Sequence, residues 1–218
     1  MEYFVGTAYG NTVMCSFGQQ RVIFTVIGTV CAETNEPLTG HCTFHAQISH
    51  ILRCAQIQNQ GLRGTGGKTA PERIGIAVNE ICGIMNGTTN YILSMMHKKG
   101  YDYESVLHDA QSFGYAEADP TADIEGYDIQ RKLMISANIA FDASLTEQQV
   151  PAAGIAGITR EDIAGFNEMG YVCKLYATAK RVADGAILAV VEPTLFKAET
   201  LEAAVPANYN LITAVSEY

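Results

Sequence analysis

No stretch of this 218-residue chain approaches the roughly 18 consecutive apolar residues that a membrane-spanning helix needs. Its start also lacks the basic flank and clean apolar run of a secretory signal. Charged residues are scarce at 17%, against about 25% in typical globular chains, while 48% of residues are hydrophobic. That is enough apolar chain to bury the core of one medium or two small domains. Bases are outnumbered, 14 against 23 acids, and the net charge of −9 argues against non-specific binding to nucleic acid or to an anionic membrane. Paired C-x-x-C motifs are missing too. Six irregularly spaced cysteines in a chain this long do not make a disulfide framework, which points to a reduced, cytoplasmic setting.

These averages hide a seam near residue 70. Residues 1–70 carry three acids and four bases, and residues 71–218 carry the other 20 acids and 10 bases. Four of the six cysteines and three of the five histidines also lie before the seam. The two parts therefore read separately, as an unassigned segment over 1–73 and a domain over 74–218.

In the first part, residues 21–31 are β-branched and apolar enough for one buried strand, and Tyr3, Phe4 and Val5 suit another. Beyond residue 32 no period of 2 or 3.6 is sustained, so this third is expected to be irregular and poorly packed. Cys31, Cys42, His45, His50 and Cys54 are zinc-ligand residue types, but without paired spacing they do not specify a metal site. Residues 61–69 (GLRGTGGKT) resemble a phosphate-binding loop. The first glycine that pattern requires would fall at Leu62, however, and Pro71 interrupts the helix that should follow. A flexible glycine-rich linker describes the stretch better; a nucleotide-binding loop is the remoter alternative.

From residue 74 the pattern becomes regular. Residues 74–85 read as a strand ending at Asn86-Gly87, and residues 88–98 as a helix capped by Thr88 or Thr89 and stopped by Gly100. A second helix follows over 102–113, ending at Gly114. The Asn-Gly-Thr-Thr turn puts backbone N–H groups at a helix N-terminus, a setting suited to polar or anionic ligand groups. Further strands are expected near 172–181, 186–193 and 209–215.

Residues 115–128 (YAEADPTADIEGYD) hold five carboxylates in fourteen residues. Such a run is usually a solvated loop. Here it leads into a helix expected over 124–141. At about 100° per residue, Asp128, Lys132, Ile135 and Ile139 share one stripe. Leu133, Met134, Ala137 and Phe141 spread round the rest, as in a buried helix. An exposed i,i+4 Asp–Lys pair is worth only about 0.3–0.5 kcal/mol. At the mouth of a core, desolvation and Asp128 act oppositely on the lysine's proton affinity, as proton-transfer chemistry requires. On spacing alone the pair is either catalytic or a structural ion pair.

Gly83-Ile-Met-Asn-Gly-Thr-Thr-Asn-Tyr-Ile-Leu93, followed in register by residues 114–133 (GYAEADPTADIEGYDIQRKL), resembles the substrate-binding and catalytic domain of homoserine dehydrogenases. Residues 154–163 (GIAGITREDI), 170–175 (GYVCKL) and 191–195 (VEPTL) continue the likeness, which covers about residues 79–218. The resemblance implies an α+β fold with a mixed, open-faced sheet and helices on one face. It implies NAD(P)-dependent, reversible reduction of L-aspartate 4-semialdehyde to L-homoserine, on the route to threonine, methionine and isoleucine, by a cytoplasmic homodimer.

Carried over residue by residue, Lys132 is the acid/base at the aldehyde oxygen and Asp128 orients it. Glu117 binds the substrate's amino group, and Asp123 and Tyr115 make further substrate contacts. Gly87 and Thr88 lie where substrate and nicotinamide meet. The residue chemistry agrees. A zwitterionic substrate needs carboxylates for its ammonium, and an aldehyde becoming an alkoxide needs a cationic proton donor.

The chain departs from the family at its start. No G-x-G-x-x-G follows a strand in residues 1–70, and a Rossmann domain does not fit there. A foreign or out-of-frame segment joined to a gene fragment is the favoured explanation, over a rearranged or highly divergent domain. NAD or NADP would then find its site largely missing and the chain would be inactive alone. The competing reading is a non-catalytic remnant that binds an amino-acid-like ligand or a partner subunit.

Overall fold

The computed structural model describes residues 4–5, 11–17, 20–27 and 78–216. Seven strands form one sheet in the order β1-β2-β3-β7-β4-β5-β6. They are β1 (Phe4–Val5), β2 (Asn11–Phe17), β3 (Gln20–Ile27), β4 (Val78–Ile84), β5 (Tyr171–Arg181), β6 (Ile187–Lys197) and β7 (Tyr209–Ser216). The sheet is mixed: β3 runs parallel to β7, with Arg21 opposite Tyr209, and every other pairing is antiparallel. The four expected strands of the second part are all present.

The first third, expected to be irregular, supplies three strands. Two of them fall where β-branched or apolar residues suggested strands, and Asn11–Phe17 is the addition. The zinc-type residues Cys31, Cys42, His45, His50 and Cys54, and the glycine-rich 61–69 stretch, lie outside the described residues.

Among the described residues six α-helices accompany the sheet: α1 (Gly87–Lys99), α2 (Tyr103–Ser112), α3 (Thr121–Ile124), α4 (Tyr127–Phe141), α5 (Arg160–Glu168) and α6 (Leu201–Ala204). Three of these helices start on a capping side chain. Asn86 caps α1 by accepting from the Thr89 N–H, Asp102 caps α2 through Ser105, and Thr159 caps α5 through Asp162 in a reciprocal box. Gly100 ends α1 in the left-handed conformation, φ 64°.

The main core lies between α1, α2, α4 and α5 and one face of the sheet. Ile81, Cys173, Leu175, Ala177, Val191 and Ile212 meet Ile92, Leu93, Met96, Ile129 and Leu133 there. The opposite face carries a smaller cluster of Cys82, Ile84, Tyr176, Leu211 and Val205, the last at the end of α6. Among the described residues helix cover is therefore one-sided except for α6. On that second face burial pushes the Cys82 thiol up to about 11 and raises Tyr176, to which it is hydrogen-bonded. The thiol is inert at neutral pH.

Two expectations about the helix over 124–141 change. It is broken into α3 and α4 by Gly126, whose φ of 80° suits glycine. Its burial is also one-sided: Ile129, Leu133, Ser136, Ala137 and Phe141 are buried, whereas Asp128, Lys132, Ile135 and Ile139 lie at the boundary and Arg131 is exposed. The carboxylate–lysine stripe thus runs along the rim of the core.

Candidate active site

The site forms where β4 ends and the chain turns into α1. Asn86 is the N-cap of that helix and is 5% exposed. Its Oδ1 accepts from the Thr89 N–H at 2.9 Å and from Thr89 Oγ1 at 3.2 Å. With the oxygen so engaged, the amide nitrogen points away from the helix. Nδ2 donates to Asp123 Oδ1 at 2.8 Å and to Asp128 Oδ2 at 2.9 Å. One neutral amide thus holds two carboxylates together, each by a charge-assisted bond.

Asp128 also binds Lys132, with Nζ 2.7 Å from Oδ2, and the same ammonium donates to the Met85 carbonyl at 3.1 Å. Lys132 is thereby tied to the strand end just before the turn. The side chains of Lys132 and Asp128 keep 17% and 31% of their exposure, so both remain reachable from solvent. On the other side of the turn, Thr88 Oγ1 donates to the Tyr115 carbonyl at 2.6 Å. The Tyr115 ring stacks at a tilt on Tyr91, centroids 4.9 Å apart.

Close backbone packing fixes this geometry. A Cβ on Gly87 would sit 2.8 Å from the Asn208 carbonyl oxygen, so the turn lies directly against the chain entering β7. The bend between α3 and α4 is pressed from behind by residues 151–155. Ile155 donates to the Ile124 carbonyl at 2.9 Å, and a Cβ on Gly154 would fall 2.2 Å from that same oxygen. The bend lets Asp123, before it, and Asp128, after it, converge on Asn86.

The arrangement gathers Asp123, Asp128, Lys132 and Thr88, with the Tyr115 backbone, round the 86–88 turn. Glu117 is exposed and outside this hydrogen-bonded cluster. It lies two residues past Tyr115, with its own carbonyl held by the Gln111 amide at 3.1 Å. Sequence reasoning missed Asn86, although an asparagine at a helix start opposite a run of carboxylates is a usable signal. It also missed Lys174, a lysine within the apolar first half of strand β5.

A model of the family described as homoserine dehydrogenase matches residues 72–218. The chain belongs to that family. The homoserine dehydrogenase of Bacillus subtilis is 41% identical over 141 residues, covering 64% of this chain and 32% of that protein. That of Mycobacterium tuberculosis is 42% identical over 147 residues, covering 66% and 33%. Among solved structures, the Staphylococcus aureus enzyme at pH 7.0 superposes with a TM-score of 0.63 at 37% identity, over 65% of this chain and 36% of that one. The Thiobacillus denitrificans enzyme gives 0.62 at 40% identity, over 65% and 32%. The chain thus spans about a third of the length of the curated relatives it matches, and its α+β sheet is that of homoserine dehydrogenases.

The family implies a nicotinamide dinucleotide. The turn from β4 into α1 does not fit its pyrophosphate. It holds a single glycine, the Thr89 N–H is already taken by Asn86, and Thr88, Thr89 and Asn90 are buried. No group of His, Cys, Asp and Glu among the described residues is arranged to hold a metal ion, and no helix among them is long and apolar enough to cross a membrane.

Proposed function

We propose that residues 74–218 form the substrate-binding and proton-transferring domain of a homoserine dehydrogenase, acting on L-homoserine and L-aspartate 4-semialdehyde. The observation that carries this reading is the Asn86-centred cluster. It holds two carboxylates and a reachable lysine at 2.7–2.9 Å on one turn, within a chain of that family. Lys132 is the proton donor to the aldehyde oxygen and the acceptor from the alcohol in reverse. Asp128 keeps it oriented, and the Met85 carbonyl limits its swing. Asp123 and the exposed Glu117 supply the negative charge that a substrate ammonium needs, and Thr88 and Tyr115 form the wall beside it. Gly87 keeps the turn free of a side chain where substrate and nicotinamide meet.

In such a reaction the hydride comes from NADH or NADPH. The chemistry assigned to the described residues is confined to holding substrate and moving a proton. A relative from Pseudomonas canavaninivorans, 38% identical over 143 residues, is named an NAD(+)-dependent homoserine dehydrogenase. NADP remains an equal proposal for this chain. The proposed setting is threonine, methionine and isoleucine synthesis in the cytoplasm. The sheet face opposite the helices, where Leu188 is 54% exposed, supports a homodimer.

The poor fit of the 86–88 turn to a pyrophosphate also favours a second reading, in which the chain binds the amino acid without turning it over. Titrating the 218-residue chain separately with L-homoserine and with NADPH separates the two. Saturable L-homoserine binding without NADPH binding is expected. NADPH binding together with turnover abolished in Lys132→Ala would establish the full enzyme instead. Absence of L-homoserine binding would overturn both.

A further inference from the structure

Lys174 lies on β5, 1% exposed, the largest fully buried side chain among the described residues. The register pairs Gly83 with Ala177, and β4 ends at Ile84. The first residues of β5 therefore run past the end of their neighbouring strand, and side chains of α1 fill the gap. His97 Nε2 accepts the Cys173 N–H at 2.8 Å, which leaves its proton on Nδ1 for Asn167 Oδ1 at 2.7 Å. One residue on, Lys174 Nζ donates to Asn90 Oδ1 at 2.7 Å, to Ser94 Oγ at 3.1 Å and to the Val205 carbonyl at 3.1 Å.

All three acceptors are neutral, and no carboxylate among the described residues is within ion-pair distance of this ammonium. An apolar side chain of similar size would avoid the cost of burying a charge. What the ammonium offers instead is three donors at the point where α1 meets the 205–209 segment. By occupying Asn90 Oδ1 it fixes which way that amide faces. Asn90 Nδ2 then donates to the Pro206 carbonyl at 3.1 Å and to the Tyr209 carbonyl at 2.8 Å. Those bonds span Asn208, whose carbonyl lies against Gly87.

We propose that Lys174 is a positioning residue of the candidate active site, clamping α1 to the 205–209 segment and so setting the 86–88 turn that carries Asn86 and Thr88. Lys174 touches none of the acidic groups itself; it acts through Asn90 and the backbone. The charged and titratable groups facing it are Lys98 and His97 of α1 and Cys173 of its own strand, while the 205–209 segment gives it the Val205 carbonyl. Burial and the Lys98 charge push the Lys174 ammonium down to about 8.

The test is amide hydrogen exchange by NMR on the 218-residue chain, wild type against Lys174→Met, with Lys180→Met as a control on the same strand. The reporters are the Thr89 and Asn90 amides, both bonded to Asn86. In Lys174→Met their protection falls about tenfold or more while the β5–β6 ladder keeps its own. In Lys180→Met neither changes. Unchanged Thr89 and Asn90 protection in a folded Lys174→Met chain overturns the proposal.

Should Lys174→Met fail to fold, Lys174→Gln decides. Protection factors at Thr89 and Asn90 fall in that variant while those of the β5–β6 ladder stay level; parallel behaviour at both places overturns the proposal. A merely structural lysine would not separate the two places. The inference leans on the proposed function only for what the turn binds. L-Homoserine added to the same samples shifts the wild-type turn and binds about tenfold more weakly to Lys174→Met. Absence of wild-type binding counts against the proposed function alone, and the exchange result still decides this one.

Discussion

Two lysines bracket the Asn-Gly-Thr-Thr turn, and they are held in opposite ways. Lys132 grips the Met85 carbonyl just before the turn, has Asp128 for a partner and keeps part of its side chain in solvent. Lys174 grips Asn90 just after the turn, has only neutral partners and is sealed in. A lysine that moves protons must be reached by substrate and must have its charge supported, and Lys132 meets both conditions. A lysine that only organises neighbours needs donors in fixed directions, and burial supplies that rigidity at a cost in stability. The same residue type thus serves chemistry on one side of the turn and geometry on the other.

The contrast is most easily broken by removing each lysine in turn. Lys174→Ala leaves a cavity and three acceptors without their donor, and is expected to destabilise the chain by about 3 kcal/mol. Lys132→Ala, at the rim, should cost about 1 kcal/mol or less. Urea unfolding followed by far-UV circular dichroism measures both, and equal losses would erase the distinction. Next in size is Asn86→Ala, which removes the cap of α1 and the donor shared by Asp123 and Asp128. It is expected to cost about 1–2 kcal/mol by the same measurement.

The acidic bend and the two lysines also show how far sequence alone reaches. The strands of the second part, the capped helices and the Asp128–Lys132 spacing are all local patterns, and local patterns were legible. The cluster itself joins Asn86 to Asp123 and Asp128, 37 and 42 residues away along the chain, and no periodicity carries that information. Gly126 was hidden within an apparently continuous helix because its left-handed role depends on residues 151–155 pressing on the bend. Lys174 was hidden for a similar reason: alternation along β5 does not reveal that β4 stops short and leaves a space for α1 to fill. Among the first three strands, β2 has no strong apolar alternation and is secured by pairing with β3.

A smaller effect is expected from pH, with the same sign but in separate windows at two groups that face each other. Between about 8 and the ordinary lysine value of 10.5, the unfolded chain holds a proton on Lys174 that the folded chain releases. Stability from this group therefore rises as pH climbs through that window, and below it the buried charge exacts its full cost. Burial holds His97 below its usual 6.5. The unfolded chain takes up a proton there first, so the His97 contribution is lost as pH falls below about 6.5. Thermal unfolding from pH 5.5 to 10 on wild type, His97→Asn and Lys174→Met assigns each limb. The smallest effect belongs to the exposed Arg131–Glu147 pair, 3.3 Å apart: Glu147→Gln should change stability by less than about 0.5 kcal/mol.

The central claim is that the Asn86-centred cluster receives an amino-acid substrate. Calorimetric titration of the 218-residue chain with L-homoserine, wild type against Asp123→Asn, tests it most directly. The account predicts saturable binding by the wild type, weakened about tenfold or more when that carboxylate is neutralised. No binding by the wild type, or the same affinity in both proteins, would contradict it.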